Sequence, residues 1–579
     1  FVSEIYQKIT LVYKKSINFF YPHLNMKGFL FFNIKERNMN YLPKSLATGF
    51  VLALFASSAV FAATHPVTGE TLAEDQTFTY SLLDEFTSVD PQIVEDVSGA
   101  DIVRDLFEGL MNQDADGNLV PGVATGYSTN DAKDVYTFTL RDNAVWSDGN
   151  PVTAHDFVYA WRRLADPATA SPYSWFAEIM ALENVGDVMS GDAAPETLGV
   201  TALDNHTLEV RLTSSLPYFA AMTTHSSTFP SPEWIVRTSG NDWTKPENIV
   251  SNGAYVLTEH IPNERSVRER NPMYWNNDAT ILEKVVALVI NDENVDLTRY
   301  LANELDKGTV PSGQYIRLKQ DYPDEATSFP RLCNYYMTFN LSDSGPEAFK
   351  DVRVRQALAH AIDRSVITEK ILQAGQINAF TFTPGATAGF EVPPVAFGQM
   401  SQDEREAKAK ELLAEAGYGA DNPLSFEYIY NTSEGHKKIA IAAQQMWKEV
   451  LGAQVTLANQ EWKTFLKTRG AQGFELARGA WCGDYNEAST FLDLLTSPSG
   501  YNDGKFSNAE VDALMLDART MDDASSNYTR VEEILANEMP VIPIYHYAGV
   551  FMLKTDVKGW PYNNVEQNVY SRNLYKVAK

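Results

Sequence analysis

Runs in which apolar and polar positions alternate every second residue interleave along this chain with stretches whose apolar positions recur every three or four. Val135–Leu140 reads VYTFTL, β-branched and aromatic, and predicts a strand. The turn signal Asp148-Gly149 follows, and Thr153 with Asp156 predicts a capping box opening a helix over Ala154–Arg163. Asp351–Arg364 places Val354, Leu358, Ala361 and Ile362 on one face, the stripe of an amphipathic helix. Ser401 and Glu404 predict a capped helix through Leu413, stopped by Gly417. Gly435–Leu451 predicts another, closed by Gly452 and followed by a strand around Val455–Leu457. The string Asp114-Ala115-Asp116-Gly117-Asn118 imitates a calcium loop. Its glycine falls at the fourth position, not the sixth, and Thr125 stands where the bidentate Glu is needed, so it predicts an Asp-Gly turn. Strands and helices mix without the rhythm of a parallel βαβ array, no segment repeats, and composition marks no domain boundary. The pattern predicts a mixed α/β or α+β protein of more than one lobe.

The first sixty or so residues follow another grammar. The chain begins with Phe1, not Met, as expected of a prefix running upstream of the start. From Met39, Lys44 supplies a positive region, Leu46–Ala56 an apolar core and Val60-Phe61-Ala62 a small-residue cleavage site. A secretory signal peptide cut after Ala62 is expected. The apolar core is short for a membrane span, and Ser57-Ser58 follows it. The first Cys is Cys333, far from the cleavage site, so no lipid anchor on a new N-terminal Cys is expected. No later segment approaches the roughly 18 apolar residues that a spanning helix needs.

Composition narrows the classes further. Of 579 residues 44% are hydrophobic and 12% aromatic, which excludes a disordered chain. Acids outnumber bases 75 to 47, a net charge of −28, and argue against a phosphate-neutralising surface for nucleic acid. Residues 1–62 hold seven Lys/Arg against two Asp/Glu, so the remainder is more acidic still, at −33. Two Cys permit one bridge, and export to an oxidising compartment makes a Cys333–Cys482 pair the expectation. Nine His form no zinc spacing, and HExxH, CxxC, GxSxG, Walker A and dinucleotide glycine motifs are missing from the sequence. Carboxylates are plentiful, but nothing marks a glycosidase pair. Taken alone, His436 in GHKK reads as a solvated or structural residue. Neither an enzyme nor a cofactor or metal is expected.

Several strings in order along the chain carry a resemblance. VYTFTLRDNAVWSDGNPVTAHDFVYAWRR (Val135–Arg163) resembles the signature region of the large solute-binding proteins (family 5) of bacterial peptide ABC transporters. VRDLFEGL (Val103–Leu110), NGAY (Asn252–Tyr255), RNPMYW (Arg270–Trp275), RVRQALAHAIDR (Arg353–Arg364) and PVIPIYHY (Pro540–Tyr547) support it. YNTSEGHKKIAIA (Tyr430–Ala442), NQEWKTFLKTRG (Asn459–Gly470) and ARGAWCGDYNE (Ala477–Glu487) resemble the periplasmic oligopeptide-binding members. TAGF (Thr387–Phe390) and FGQMSQ (Phe397–Gln402) resemble the murein-tripeptide-binding members.

The resemblance implies a type II-like periplasmic binding protein fold, three domains in two lobes that close over a buried peptide. Domain I would be 63–107, 233–332 and 552–579, domain II 108–232, and domain III 333–551. The implied function is a monomeric periplasmic receptor that binds di- to pentapeptides with little side-chain specificity. It would deliver them to a membrane ABC importer permease, without cofactor, nucleic acid or stable membrane insertion. A dedicated murein-tripeptide receptor is the alternative.

A buried peptide needs partners for its ammonium, its carboxylate and its backbone, since each unpaired polar group costs about 1–3 kcal/mol. The resemblance assigns Asp484 to the ammonium, Arg478 to a tripeptide carboxylate and His436 to a tetrapeptide carboxylate. It makes Arg469 a third basic residue, Glu95 an acid near the strand that the peptide joins, and Val97 a main-chain contact. Trp462, Trp481 and Tyr173 match aromatic lining, and Asn431 and Tyr336 further lining. Cys333 and Cys482 match the disulfide pair, which sets Cys482 beside the site; the murein-tripeptide relative lacks that pair, which favours the oligopeptide reading. The chain departs from the oligopeptide pattern at Arg331, Thr338, Ala480 and Lys307–Pro311, which bears on side-chain preference and leaves the ammonium anchor in place.

Overall fold

The computed structural model describes residues 63–579; the expected signal peptide lies outside the described residues. Most of the strands join one eleven-stranded mixed sheet. Its spine is a pair of long antiparallel strands, Ala326–Phe339 and Val541–Leu553. Beyond one end of the spine lie Lys307–Thr309, Thr77–Leu82, Lys284–Val289, Arg265–Arg270 and Tyr255–Ile261. Beyond the other lie Leu476–Cys482, Ser425–Asn431 and Gln454–Gln460. Parallel pairing is confined to the neighbours of Thr77–Leu82 and of Ser425–Asn431. A separate antiparallel sheet runs Ala124–Thr129, Val135–Leu140, Thr207–Arg211, Val200–Asp204. Both sheets carry helices, so the mixed α/β class expected from the pattern is present.

The local predictions hold where the sequence carried a physical signal. Val135–Leu140 is a strand whose alternate residues Tyr136, Phe138 and Leu140 are buried. They belong to one apolar core with Phe157, Trp161 and Leu164 of the helix Ala154–Ala165, which Thr153 and Asp156 open with the expected capping box. Gln402–Glu415 begins at the Ser401–Glu404 box. Glu434–Leu451 closes at Gly452, whose φ of +66° is the left-handed geometry that glycine accepts without a Cβ clash. Asp114–Asn118 is a turn joining the short strands Met111–Gln113 and Leu119–Pro121, with Asp114 Oδ1 accepting from the Asp116 and Asn118 N–H groups.

One element is shorter than expected. The helix predicted over Asp351–Arg364 spans Val352–His360, with Asp351 as its N-cap. Arg364 is the reason. Its side chain, 1% exposed, turns inward and donates to the carbonyls of Ala359, Ile362, Ala379 and Pro543. A guanidinium on the last carbonyls ends a helix, and here it also ties that end to the long strand Val541–Leu553.

Two features fix the elements around the site. The helix Val97–Leu106 is anchored by Asp105, which accepts from Arg268 Nη1 (2.6 Å), the Ser571 N–H (2.9 Å) and Ser571 Oγ (2.7 Å). Asp105 and Arg268 are both almost fully buried, so each charge depends on the other. Cys333 and Cys482 are bonded, as expected, at directly opposite positions of neighbouring antiparallel strands. Their positions are 149 residues apart, and closing a loop of that length restricts the unfolded chain by about 5 kcal/mol in the chain-entropy model. The double variant Cys333→Ser/Cys482→Ser should therefore lose about 2–5 kcal/mol of stability in urea unfolding. A loss within error of zero would remove the bridge from the account of stability.

Candidate functional site

A cavity of about 600 Å³ lies beside the spine of the large sheet. Its walls come from stretches far apart in the chain, around residues 83–104, 172–173, 225–226, 331–333, 431–436, 462–503, 547 and 566–568. Of the residues expected at a binding site, it gathers Asp484, Arg478, Arg469, His436, Trp462, Trp481, Tyr173, Glu95, Val97, Asn431 and Cys482. Tyr336 is outside this wall. Its ring lies behind the strand Leu476–Cys482, against Gly479 and edge-on to Phe382, as core packing. Tyr336 sits directly across from Gly479, whose missing side chain makes room for the ring, and its hydroxyl lies beside Arg469 of the wall.

The strand Leu476–Cys482 brings most of these groups together. On one side it pairs with Ala326–Phe339 along its whole length. On the other, Ser425–Asn431 pairs only with Leu476 and Ala477, then diverges. From Arg478 onward that edge is open to the cavity. The Trp481 N–H donates to Asn334 Oδ1 (3.0 Å) and the Gly483 N–H to the Leu332 carbonyl (2.8 Å), both on the paired side. Alternation then turns the Ala480 and Cys482 peptide groups toward the cavity. A short sheet edge facing an internal space accepts an extended chain by strand addition. Across the space stands the start of the helix Val97–Leu106, with Asp96 as its N-cap and Val97 43% exposed.

At one end of the edge is Asp484. Its Oδ1 lies 3.4 Å from both the Tyr173 hydroxyl and His225 Nε2, and its Oδ2 is buried with no hydrogen-bond partner among the described residues. Burial holds the carboxyl well above the usual carboxylate range, against Tyr173 and Arg104, while Glu566 pushes it the same way as burial. Burial likewise drives His225 well below the imidazole range, so it is neutral and offers Asp484 no positive charge. Glu566 is pushed up to about 7 by burial, and its Oε1 too lacks a partner among the described residues.

The basic residues differ in how free they are. Arg478 Nη2 donates to the Tyr547 hydroxyl (3.0 Å), its guanidinium sits 5.0 Å from the Tyr335 ring, and its Nε is unpartnered among the described residues. Arg469 is already bound to Asp503 at 2.5 Å. His436, three residues into the helix Glu434–Leu451, is held below the imidazole range by burial and by Arg478. It can offer a carboxylate a neutral N–H but not a charge. Glu95 accepts from the Tyr501 hydroxyl at 3.4 Å, and burial raises its carboxyl. Asn431 ends its strand with Oδ1 unpartnered among the described residues, and Trp462 begins the helix Trp462–Gly470.

Aromatic rings line the flank. Tyr173, Trp175, Trp481 and Tyr501 pack with ring centroids 5.3–6.4 Å apart. Sequence reading missed Arg104, His225, Tyr501, Asp503, Tyr547 and Glu566 as wall residues. Arg104 and Tyr547 stand in the strings VRDLFEGL and PVIPIYHY, which mark the family without marking a site, and only the fold brings residues 104, 225 and 566 to Asp484.

Comparison with known proteins agrees with this geometry. Residues 118–503 match the model for bacterial extracellular solute-binding proteins, family 5 middle. The chain is 45% identical to the periplasmic murein peptide-binding protein MppA of Escherichia coli, over 91% of this chain and 98% of that protein. Its solved structure superposes with a TM-score of 0.85, covering 88% of this chain and 100% of that one. The unliganded open form of that protein superposes at 0.65, covering 88% and 99%. The periplasmic oligopeptide-binding protein OppA of Salmonella typhimurium is 43% identical over 93% of this chain and 99% of its own length. Haemophilus influenzae OppA, solved as a complex with RPPGFSPFR, is 38% identical with a TM-score of 0.84, covering 88% and 100%. The chain belongs to the bacterial extracellular solute-binding proteins of family 5.

Proposed function

We propose that this protein is a periplasmic receptor that binds short peptides and hands them to an ABC-type importer. The observation that carries the reading is one cavity with an unneutralised buried carboxylate at Asp484, an open strand edge beside it, and a buried arginine with a free Nε at Arg478. A peptide in water has an ammonium, a carboxylate and a strand-like backbone, and it supplies what each of these lacks. The ammonium would let Asp484 ionise as one half of a charge-assisted pair, and loss of one partner costs about 2–5 kcal/mol. The carboxylate would meet Arg478 for a tripeptide, or the neutral His436 for a longer one. Aromatic walls take many side chains by apolar contact and cation–π attraction without fixing one pattern, and water fills what small side chains leave.

Relatives named for oligopeptides and for murein peptides stand at nearly equal identity. The Cys333–Cys482 bridge, expected of the oligopeptide group, favours broad specificity. Domain closure is the natural transport step: a ligand stabilises a closed state only through contacts to both sides of the cleft. The walls around Val97 and around Asp484 are such sides, and they divide between the stretches assigned to domains I and III. Among the described residues no helix is long and apolar enough to cross a membrane. Delivery to an importer permease is part of the receptor reading. The expected signal peptide would place the protein in the periplasm as a free monomer. The receptor role ends with release, so peptide recovered after incubation should be intact by mass spectrometry; cleavage would indicate an enzyme on the same scaffold. Calorimetry with trialanine, trilysine and murein tripeptide tests the specificity, and binding of murein tripeptide alone would overturn the broad reading.

Asp484→Ala should weaken trialanine binding at least about tenfold, as removal of one charge partner requires. Unchanged affinity would misplace the ammonium anchor. Binding should also release protons. The empty site holds the Asp484 carboxyl above its usual range, and a bound ammonium brings it down. At pH about 6 the peptide amine is fully protonated, since its ordinary pKa is near 8, so the released proton comes from the protein. Calorimetry in two buffers of different ionisation enthalpy should show net proton release, and affinity should fall as pH is lowered further. Zero proton exchange would mean that Asp484 is already ionised before the peptide arrives.

A further inference from the structure

The cavity wall holds an arginine that neither an ion pair among the described residues nor the anchoring of peptide termini engages. Arg331 lines the wall, and among the described residues it makes no hydrogen bond and no ion pair; its Nε is buried without a partner. The backbone explains why it points there. Along the spine, Pro330 pairs with Ala548 and Asn334 with His546, so Arg331, Leu332 and Cys333 stand opposite Tyr547 alone. Extra residues bulging from a strand break its alternation and re-aim side chains. Leu332 is fully buried, with its N–H on the Val565 carbonyl, and Cys333 is bonded to Cys482.

The surroundings of Arg331 are short of negative charge. Asp101 is the acid whose field reaches it, and that carboxylate is bound to Arg104 at 3.2 Å. Lys307 lies close enough to repel it; Asp101 and Asp296 are the acids whose fields reach Lys307, which forms no ion pair among the described residues. The Lys307 ammonium instead sits 5.2–5.8 Å from the rings of Tyr80, Phe551 and Trp560. Asp484 and Glu566 line the same cavity, beside Arg104. Arg331, unpaired on the cavity wall among the described residues with Lys307 behind it and outside that wall, forms a subsite that a carboxylate would complete. Strand register places it. Cys333 is opposite Cys482, and the Gly483 N–H donates to the Leu332 carbonyl, which puts the Arg331 backbone just beyond the disulfide on the side of Asp484, the proposed ammonium anchor.

Resting on the receptor reading above, we propose that Arg331, backed by Lys307, reads an acidic side chain near the amino end of the peptide. The protein then prefers Glu- or Asp-containing peptides over their amides, within an otherwise permissive site. A guanidinium grips a carboxylate with two parallel hydrogen bonds, and an amide side chain of the same shape offers one acceptor and no charge.

The test is calorimetry with trialanine and with tripeptides in which Glu or Gln replaces each Ala in turn. Glu at the first or second position should bind about tenfold more tightly than Gln, and the gap should narrow with added salt. Arg331→Gln, shown folded by its thermal melt, should bring the Glu-to-Gln ratio close to one. Arg331→Lys should keep part of it. The preference should persist with C-terminal amides; its loss there would mean that Arg331 reads the terminal carboxylate and would overturn the side-chain assignment. Equal binding of Glu and Gln by the wild-type protein, a preference confined to the third position, or a ratio unchanged in Arg331→Gln would also overturn it. Trialanine separates the two levels. If neither trialanine nor murein tripeptide binds, the receptor reading itself falls; if trialanine binds while Glu and Gln are equal, only this inference falls.

Discussion

Asp484 keeps a carboxylate in the wall of a closed space with one oxygen facing no donor among the described residues, beside a histidine that burial keeps neutral. An isolated buried charge is among the most costly arrangements a protein can hold, and the usual escape is protonation. The raised carboxyl of Asp484 is that escape. The arrangement makes sense as a poised state. The fold has spent stability on a site that a cation arriving with its own hydrogen bonds would relieve.

The rest of the structure can be followed outward from that point. Asp484 is placed by the strand Leu476–Cys482, which the disulfide fixes to the spine and which pairs along one side only. The open side gives a backbone to read. Arg478, on the same strand, supplies a buried cation in the same cavity wall. The facing wall, at the start of the helix Val97–Leu106, is anchored from below by the buried Arg268–Asp105 pair. Rigid supports on both sides let a ligand act as the bridge between them, which is what closure of two lobes around a solute requires.

The local elements were legible in the sequence because their signals are local. Capping boxes at Thr153 and Ser401, the glycine at 452 and the alternation of Val135–Leu140 depend on neighbours within a few residues. The end of the helix at His360 was not, because Arg364 finds carbonyls of Ala379 and Pro543 that lie far along the chain. The site divides in the same way. Asp484, Arg478, Trp481 and Cys482 stand in one short string and could be assigned together by resemblance. Arg104, His225 and Glu566 come from three distant segments, and nothing in their own surroundings marks them as site residues, although Arg104 stands in the string VRDLFEGL. Tyr336 shows what a strand pairing decides: its ring packs over Gly479, and its hydroxyl lies beside Arg469 of the wall.

The central claim is that the protein reads the two charged ends of a peptide. The direct measurement compares trialanine with N-acetyl-trialanine and with trialanine amide by calorimetry. Loss of either terminal charge should weaken binding by about tenfold or more, since each leaves a buried partner uncompensated. Binding of either capped peptide as tight as that of trialanine would contradict the account.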